Sequence, residues 1–317
     1  MFSEYLFDFN SDFPNYPGGN MEQLFFSTRT IFMLTNMTRA VTLAACLICL
    51  TLYAEEREIK FYNARIDAHI VDIPLEDEPK FSGVSGIDQI YYINLATRPE
   101  RKKRIEALMH KHHFNATRVE AVNGKELLRN DLWKITGKKK YDTELTLGAI
   151  GCALSHFSIW RDAILKGYDR IWIMEDDIEI FQPLEKIPEL LEKLSKLDPD
   201  WDILYTDPDT RNWDGTFLRQ THVPPMHHPK VEKANADYFF KREFIGDDFE
   251  RIHVRIGAYS LIISKSGLEK LIKFHQSMEL WTHVDVSIHL VPNIRQYVLT
   301  QPYITHTIVN RTSDTSS

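Results

Sequence analysis

Cysteine is scarce: Cys46, Cys49 and Cys152 are the only three in 317 residues, and the first two sit in an apolar segment near the amino end. One cysteine in the globular part leaves no disulfide framework and no cluster of thiolate metal ligands. A basic excess is missing too. Thirty-eight Lys and Arg stand against 45 Asp and Glu, for a formal net charge of −7. That argues against a nucleic-acid binder, which needs a basic face to neutralise phosphates. No internal repeat and no low-complexity tract is present. Long hydrophobic runs reduce to one, Ala40 to Ala54 (AVTLAACLICLTLYA), 15 residues and short for a membrane span. Against these absences, an apolar content of 43% suffices for one large or two medium domains.

Residues 1–36, with the turn-forming PNYPGGN, are expected to be a poorly ordered leader. Residues 37–54 read as a signal peptide or signal anchor: Met37-Thr38-Arg39 is a basic start, and Ala54 supplies a small residue ahead of Glu55. Cleavage there implies export. Extension back through Ile31 implies possible membrane association, Leu43 to Cys46 resembles a lipoprotein box, and an ordinary buried helix would leave the protein in the cytoplasm. Residues 55–86, closed by Pro74 and Pro79, read as a stem or linker, 87–310 as the functional domain and 311–317 as a disordered tail.

Within the domain, IDQIYYINL (Ile87 to Leu95) is an apolar strand, followed by a basic helix and a second short strand from Thr117 to Val122. This β-α-β beginning predicts an α/β fold with a mainly parallel sheet flanked by helices. Arg98 follows the first strand's carboxyl end, where a cation meets phosphate, whereas Arg101, Lys102, Lys103 and Arg104 read as a solvated face. A helix capped by Thr146 then leads into IWIMEDDIEI, Ile171 to Ile180. On that helix Cys152, His156 and Trp160 share a face; two ligands are too few for zinc, so a packed thiol and a hydrogen-bonded imidazole are expected.

The acids Glu175, Asp176 and Asp177 end a buried strand. Either they form a solvated loop, or they hold a metal and through it a diphosphate, since ligands of open α/β sheets bind outside the carboxyl ends of strands. WDILY (Trp201 to Tyr205) is a further strand ending in acids, Asp207 and Asp209. Residues 211–250 lack a clear period and read as long loops, with His222, His227 and His228 on the surface.

Several blocks together resemble glycosyltransferase family 25, which includes bacterial lipooligosaccharide galactosyltransferases and the procollagen galactosyltransferases. They are YYINLATRPERKKRI, AVNG, LTLGAIGCALSHFSIW, IMEDDIEI, WDILY, GAYSLIISKSGLEKLI and HVDV, in that order between Tyr91 and Val286. The resemblance implies a GT-A-like nucleotide-sugar-binding fold and inverting transfer of a hexose, best taken as galactose, from a UDP-sugar to a hydroxyl of a glycan, lipooligosaccharide or protein. It further implies a divalent metal, Mn or Mg, held by Asp177 and Asp176, with Asn94, Arg98, Glu175 and Asp176 at the nucleotide. Asp285 is the implied base, or alternatively a helix-capping acid. The family usually carries Glu where this chain has Ala149, which removes one bond of a capping box and keeps open a non-catalytic sugar-binding or adhesion protein. A glycoside hydrolase with paired carboxylates is a more distant reading. The acceptor is not legible, and Asn115-Ala116-Thr117 and Asn310-Arg311-Thr312 are glycosylation sequons in a secretory setting.

Overall fold

Where strands are covered on both faces, every residue is apolar and period 2 vanishes from the sequence. IWIM, with all four residues buried, is such a stretch. The computed structural model describes residues 64–74, 81–137, 145–211, 214–218, 236–276 and 278–307. The expected leader, the apolar segment 37–54, the tail and the three surface histidines lie outside the described residues.

The elements in chain order begin with α1 (Ala64–Asp67), β1 (Gln89–Asn94), α2 (Pro99–Lys111), β2 (Thr117–Glu120), α3 (Arg129–Thr136), α4 (Leu147–Lys166), β3 (Arg170–Glu175) and β4 (Ile178–Ile180). There follow α5 (Ile187–Leu197), β5 (Ile203–Tyr205), β6 (Thr210–Arg211), β7 (Phe217–Leu218), α6 (Ala236–Phe240), β8 (Glu243–Ile245) and β9 (Phe249–Ile252). β10 (Ser260–Ser264), α7 (Lys265–His275), α8 (Val284–Ile288), β11 (Gln296–Leu299) and β12 (Ile304–His306) complete the described chain.

Eight strands form one sheet in the order β2-β1-β3-β10-β5-β11-β9-β8. The pairs β1/β2, β1/β3 and β5/β11 are parallel, while β10 runs antiparallel to both β3 and β5, β9 to β11, and β8 to β9. The sheet expected to be mainly parallel is therefore mixed. β9 is reversed by the tight hairpin that follows β8, and β10 is reversed because its chain enters at the rim where β3 and β5 end.

Alternation sorts the strand side chains into two cores. Tyr91, Ile93, Ile171, Ile173, Ile203, Leu261, Ile263 and Val298 face α4 and α7. Ile90, Tyr92, Trp172, Met174, Leu204, Ile262 and Tyr297 face α2 and α5. The register continues past β3, so Glu175 points to the α4 side and Asp176 to the α2 side. α4 starts at Thr146, whose Oγ1 accepts from Ala149 N at 3.1 Å, and ends at Gly167 with φ 70°.

Two parts of the architecture differ from the sequence reading. Within the stretch read as a stem, Ile66, Ile70 and Ile73 recur at helical spacing and are buried in the α4-side core, and Val71 N donates to Ser158 Oγ at 3.0 Å. Within the stretch read as loops, β8 and β9 form a hairpin that extends the main sheet. Among the described residues no helix is long and apolar enough to cross a membrane.

Candidate active site

The carboxyl ends of β1 and β3, the start of α2, the loop Ala121–Lys125 and the start of α4 enclose a cavity of about 370 Å³, within the usual range for small-ligand sites. The loop is clamped on the helix by two glycines. A Cβ on Gly151 would lie 2.2 Å from Val122 O, and one on Gly124 would lie 1.8 Å from Leu147 O. Ser155 Oγ accepts from Val122 N at 2.9 Å and closes the contact. The AVNG and LGAIGC blocks are thus two halves of one wall.

The three acids at the end of β3 have separate surroundings. Asp176 is buried; Asn94 Nδ2 donates to one of its oxygens at 2.7 Å and Arg101 to the other at 3.0 Å. Burial raises its pKa, and those two partners pull it back. Asp177 is raised to about 6, first by burial and then by Glu175, against the pull of Arg101 and His306. Its Oδ1 is buried with no hydrogen-bond partner. Glu175 and Asp177 both line the first cavity and a second one of about 260 Å³.

Asp285, in the first turn of α8, lines the second cavity. Its Oδ2 accepts from Gly257 N at 2.7 Å and its Oδ1 from Val286 N at 2.9 Å, so both oxygens are oriented by backbone. Gly257 has φ 93°, which favours glycine, and a Cβ there would lie 2.7 Å from the Tyr259 ring. Beneath this cavity Arg255, 1% exposed, pairs with Asp207 at 2.6 Å and hydrogen-bonds Tyr259, whose hydroxyl donates to Asp207 at 2.6 Å. Asp209 is likewise paired with Arg242 at 2.7 Å. The second acidic strand end is therefore consumed by internal pairs and offers no carboxylate to a ligand.

Of the residues singled out from sequence, the fold brings Arg98, Glu175, Asp176 and Asp177 to the first cavity, and Asp285 to the second, which Glu175 and Asp177 also line. Asn94, 1% exposed, stands behind the wall; its amide donates to Asp176 and to Arg98 O at 3.1 Å while Arg118 donates to its oxygen at 3.0 Å. It orients neighbours and has no group left for a ligand. Sequence reasoning missed Arg101, which belongs to the site and not to a solvated face, and Arg104, which donates to Ile178 O at 2.6 Å. Their signal was the spacing of Arg98, Arg101 and Arg104 at every third position. It also missed His306, carried to the second cavity by the β12–β4 pairing, for which no local signal exists. The expected hydrogen bond of His156 is not there: neither ring nitrogen has a partner.

A divalent cation fits Glu175 and Asp177. Both offer hard oxygen donors at the junction of the cavities; Arg101, which Asp177 shares with Asp176, reaches its Oδ2 at 3.4 Å, while its Oδ1 is left unpartnered beside a second carboxylate.

The family profile described as Glycosyltransferase family 25 (LPS biosynthesis protein) matches residues 87–288. Among curated relatives, mouse Procollagen galactosyltransferase 2 is 32% identical over 193 residues, covering 56% of this chain and 30% of that protein. Mouse Inactive glycosyltransferase 25 family member 3 is 31% identical over 172 residues, covering 48% and 28%. The fruit fly (Drosophila melanogaster) Glycosyltransferase 25 family member is 36% identical over 116 residues, covering 34% and 19%. The chain spans less than a third of the length of these relatives. With the profile match running from the start of β1 to the end of α8, across both cavities, this chain belongs to glycosyltransferase family 25.

Proposed function

We propose that the chain is an inverting, GT-A-type hexosyltransferase that moves a hexose, galactose by preference, from a UDP-sugar to a hydroxyl of a glycan or protein acceptor. One observation carries the reading: a carboxylate pair, Glu175 and Asp177, at the junction of two cavities, with Asp285 lining the second beside it. The first cavity takes the nucleotide diphosphate and the second the sugar and acceptor. Bound manganese or magnesium would supply positive charge to the diphosphate as UDP departs.

Glu175 and Asp177 would hold that ion, while Arg101 stays on Asp176 and fixes the turn that presents them. Arg98, at the start of α2, would meet phosphate oxygens. Asp285, held by two backbone N–H groups, would accept the acceptor's proton on the face opposite the departing UDP. UDP release from a panel of UDP-sugars with manganese tests the reading. Turnover is expected with one hexose and is lost in Asp177→Asn; full turnover by that variant, or no turnover with any donor, refutes it.

One observation favours a second reading. Ala149 presents only a methyl group to the second cavity, at the position where the family resemblance in the sequence implies Glu. A sugar-binding protein without transfer would show neither metal-dependent UDP binding in calorimetry nor UDP release.

A further inference from the structure

The sequence offered two metal-ligand types on one helix face, and the fold adds a third. Cys152 and His156 stand one turn apart on α4, and alternation along β3 turns Glu175 toward them. The thiol sulfur, an imidazole nitrogen and a carboxylate oxygen lie within 4.8 Å of one another. Ligand atoms around a tetrahedral ion, at ~2.0–2.3 Å from it, lie ~3.3–3.8 Å apart. A small rotation of the Glu175 side chain, 29% exposed, would close that difference.

His156 is the independent pointer to a ligand. It is 0% exposed, both ring nitrogens lack hydrogen-bond partners, and Nε2 lies 3.8 Å from Glu175 Oε1. A buried imidazole with no partner is costly, and native structures rarely leave one so. The carboxylates Glu175, Asp177 and Asp285 line the second cavity together with Cys152. The same negative surroundings attract a cation.

We propose that Cys152, His156 and Glu175 form a binding site for a borderline-soft divalent transition-metal ion of the zinc class. A sulfur–nitrogen–oxygen donor set suits such an ion and not magnesium or calcium, which take oxygen ligands. Binding replaces the Cys152 S–H bond with a sulfur–metal bond and releases that proton to solvent. Cys152 and Glu175 both line the two cavities, so the fourth coordination position opens on their junction. Glu175 is also a ligand of the cation in the proposed function, and its two carboxylate oxygens allow it to serve both ions; the Cys152–His156 half of the site belongs to this ion alone and does not depend on sugar transfer.

Cobalt(II) added to the reduced, chelator-treated full chain tests the site, because cobalt bound by thiolate shows a sulfur-to-metal charge-transfer band that all-oxygen ligation cannot give. The band is expected at one equivalent, with about one proton released per ion. Equimolar zinc should bleach it, and excess magnesium should not. Cys152→Ser should abolish the band, the double variant Cys46→Ser/Cys49→Ser should retain it, and Glu175→Gln, on a half-buried side chain, should weaken cobalt binding at least tenfold. No band in the unaltered chain, or a band that survives Cys152→Ser, overturns the proposal.

Discussion

Replacing Asp177 by Asn should stabilise the cation-free protein at neutral pH. The folded chain holds this carboxyl near pKa 6 against an ordinary value of 3.8, chiefly through burial and the Glu175 charge. At ~1.36 kcal/mol per pH unit, that difference corresponds to ~3 kcal/mol of destabilisation once the group is ionised. The side chain keeps 26% of its surface exposed, so solvent screening brings the expected figure to about 1–3 kcal/mol.

The sign follows from which state binds the proton more tightly. Below pH about 4 Asp177 is protonated in folded and unfolded chains alike and costs nothing; the cost enters as pH rises from about 4 to about 6 and is complete above. Chelator-treated Asp177→Asn should therefore melt ~2–12 °C above the parent at pH 7.5, at ~2–4 °C per kcal/mol for a domain of this size, and level with it at pH 4. Manganese should reverse the order. At a hundred times its dissociation constant it adds ~2.7 kcal/mol to the parent and little to the variant. Thermal unfolding at the two pH values, with and without manganese, checks all of this. A cation-free variant less stable than its parent at pH 7.5, or one with an equal response to manganese, would refute the reasoning.

Asp285→Asn should lower the rate of transfer by ~10²–10⁴ with little change in UDP affinity, read by initial rates alongside calorimetry; equal losses in both would place Asp285 in binding. Gly151→Ala puts a methyl 2.2 Å from Val122 O, so the loop must leave the helix; nucleotide binding should weaken, and denaturant titration should show a loss of about 1–3 kcal/mol. Arg255→Met strands the buried Asp207 charge and should cost about 3–5 kcal/mol in the same titration. Burial lowers His275 and His289 to about 4, so both are neutral in the fold while the unfolded chain gains protons below about 6.5. Stability should fall as pH drops from about 6.5 to 4, and in His275→Gln the slope of melting temperature against pH over that window should shrink.

The acidic strand end could be read from sequence because four buried residues run straight into three acids, and the local pattern shows both the strand and its exit. The division of labour among those acids could not. Asp176 is claimed by Asn94, 82 residues earlier, and Arg101, 75 residues earlier, and no local pattern reports such partners. Asp207 and Asp209 looked equivalent to the first triplet for the same reason. Their neutralisers, Arg255 and Arg242, lie 48 and 33 residues further on. Strand direction was equally hidden, since SLIIS is as apolar whichever way it runs, and only the connection decides. The cap at Thr146 was legible because a capping bond joins neighbours.

The reversed β10 has a consequence for how the chain is made. It supplies one edge partner to β3 and one to β5: Ile262 pairs with Trp172, made 90 positions earlier, and with Leu204, made 58 positions earlier. Until about residue 264 has left the ribosome, β3 carries a bare row of backbone donors and acceptors, and β5 has no neighbour at all. A nascent chain halted in the loop region would expose the buried IWIM run of β3 on an open edge. Such a product should be insoluble, where one halted just beyond β11 should remain in solution.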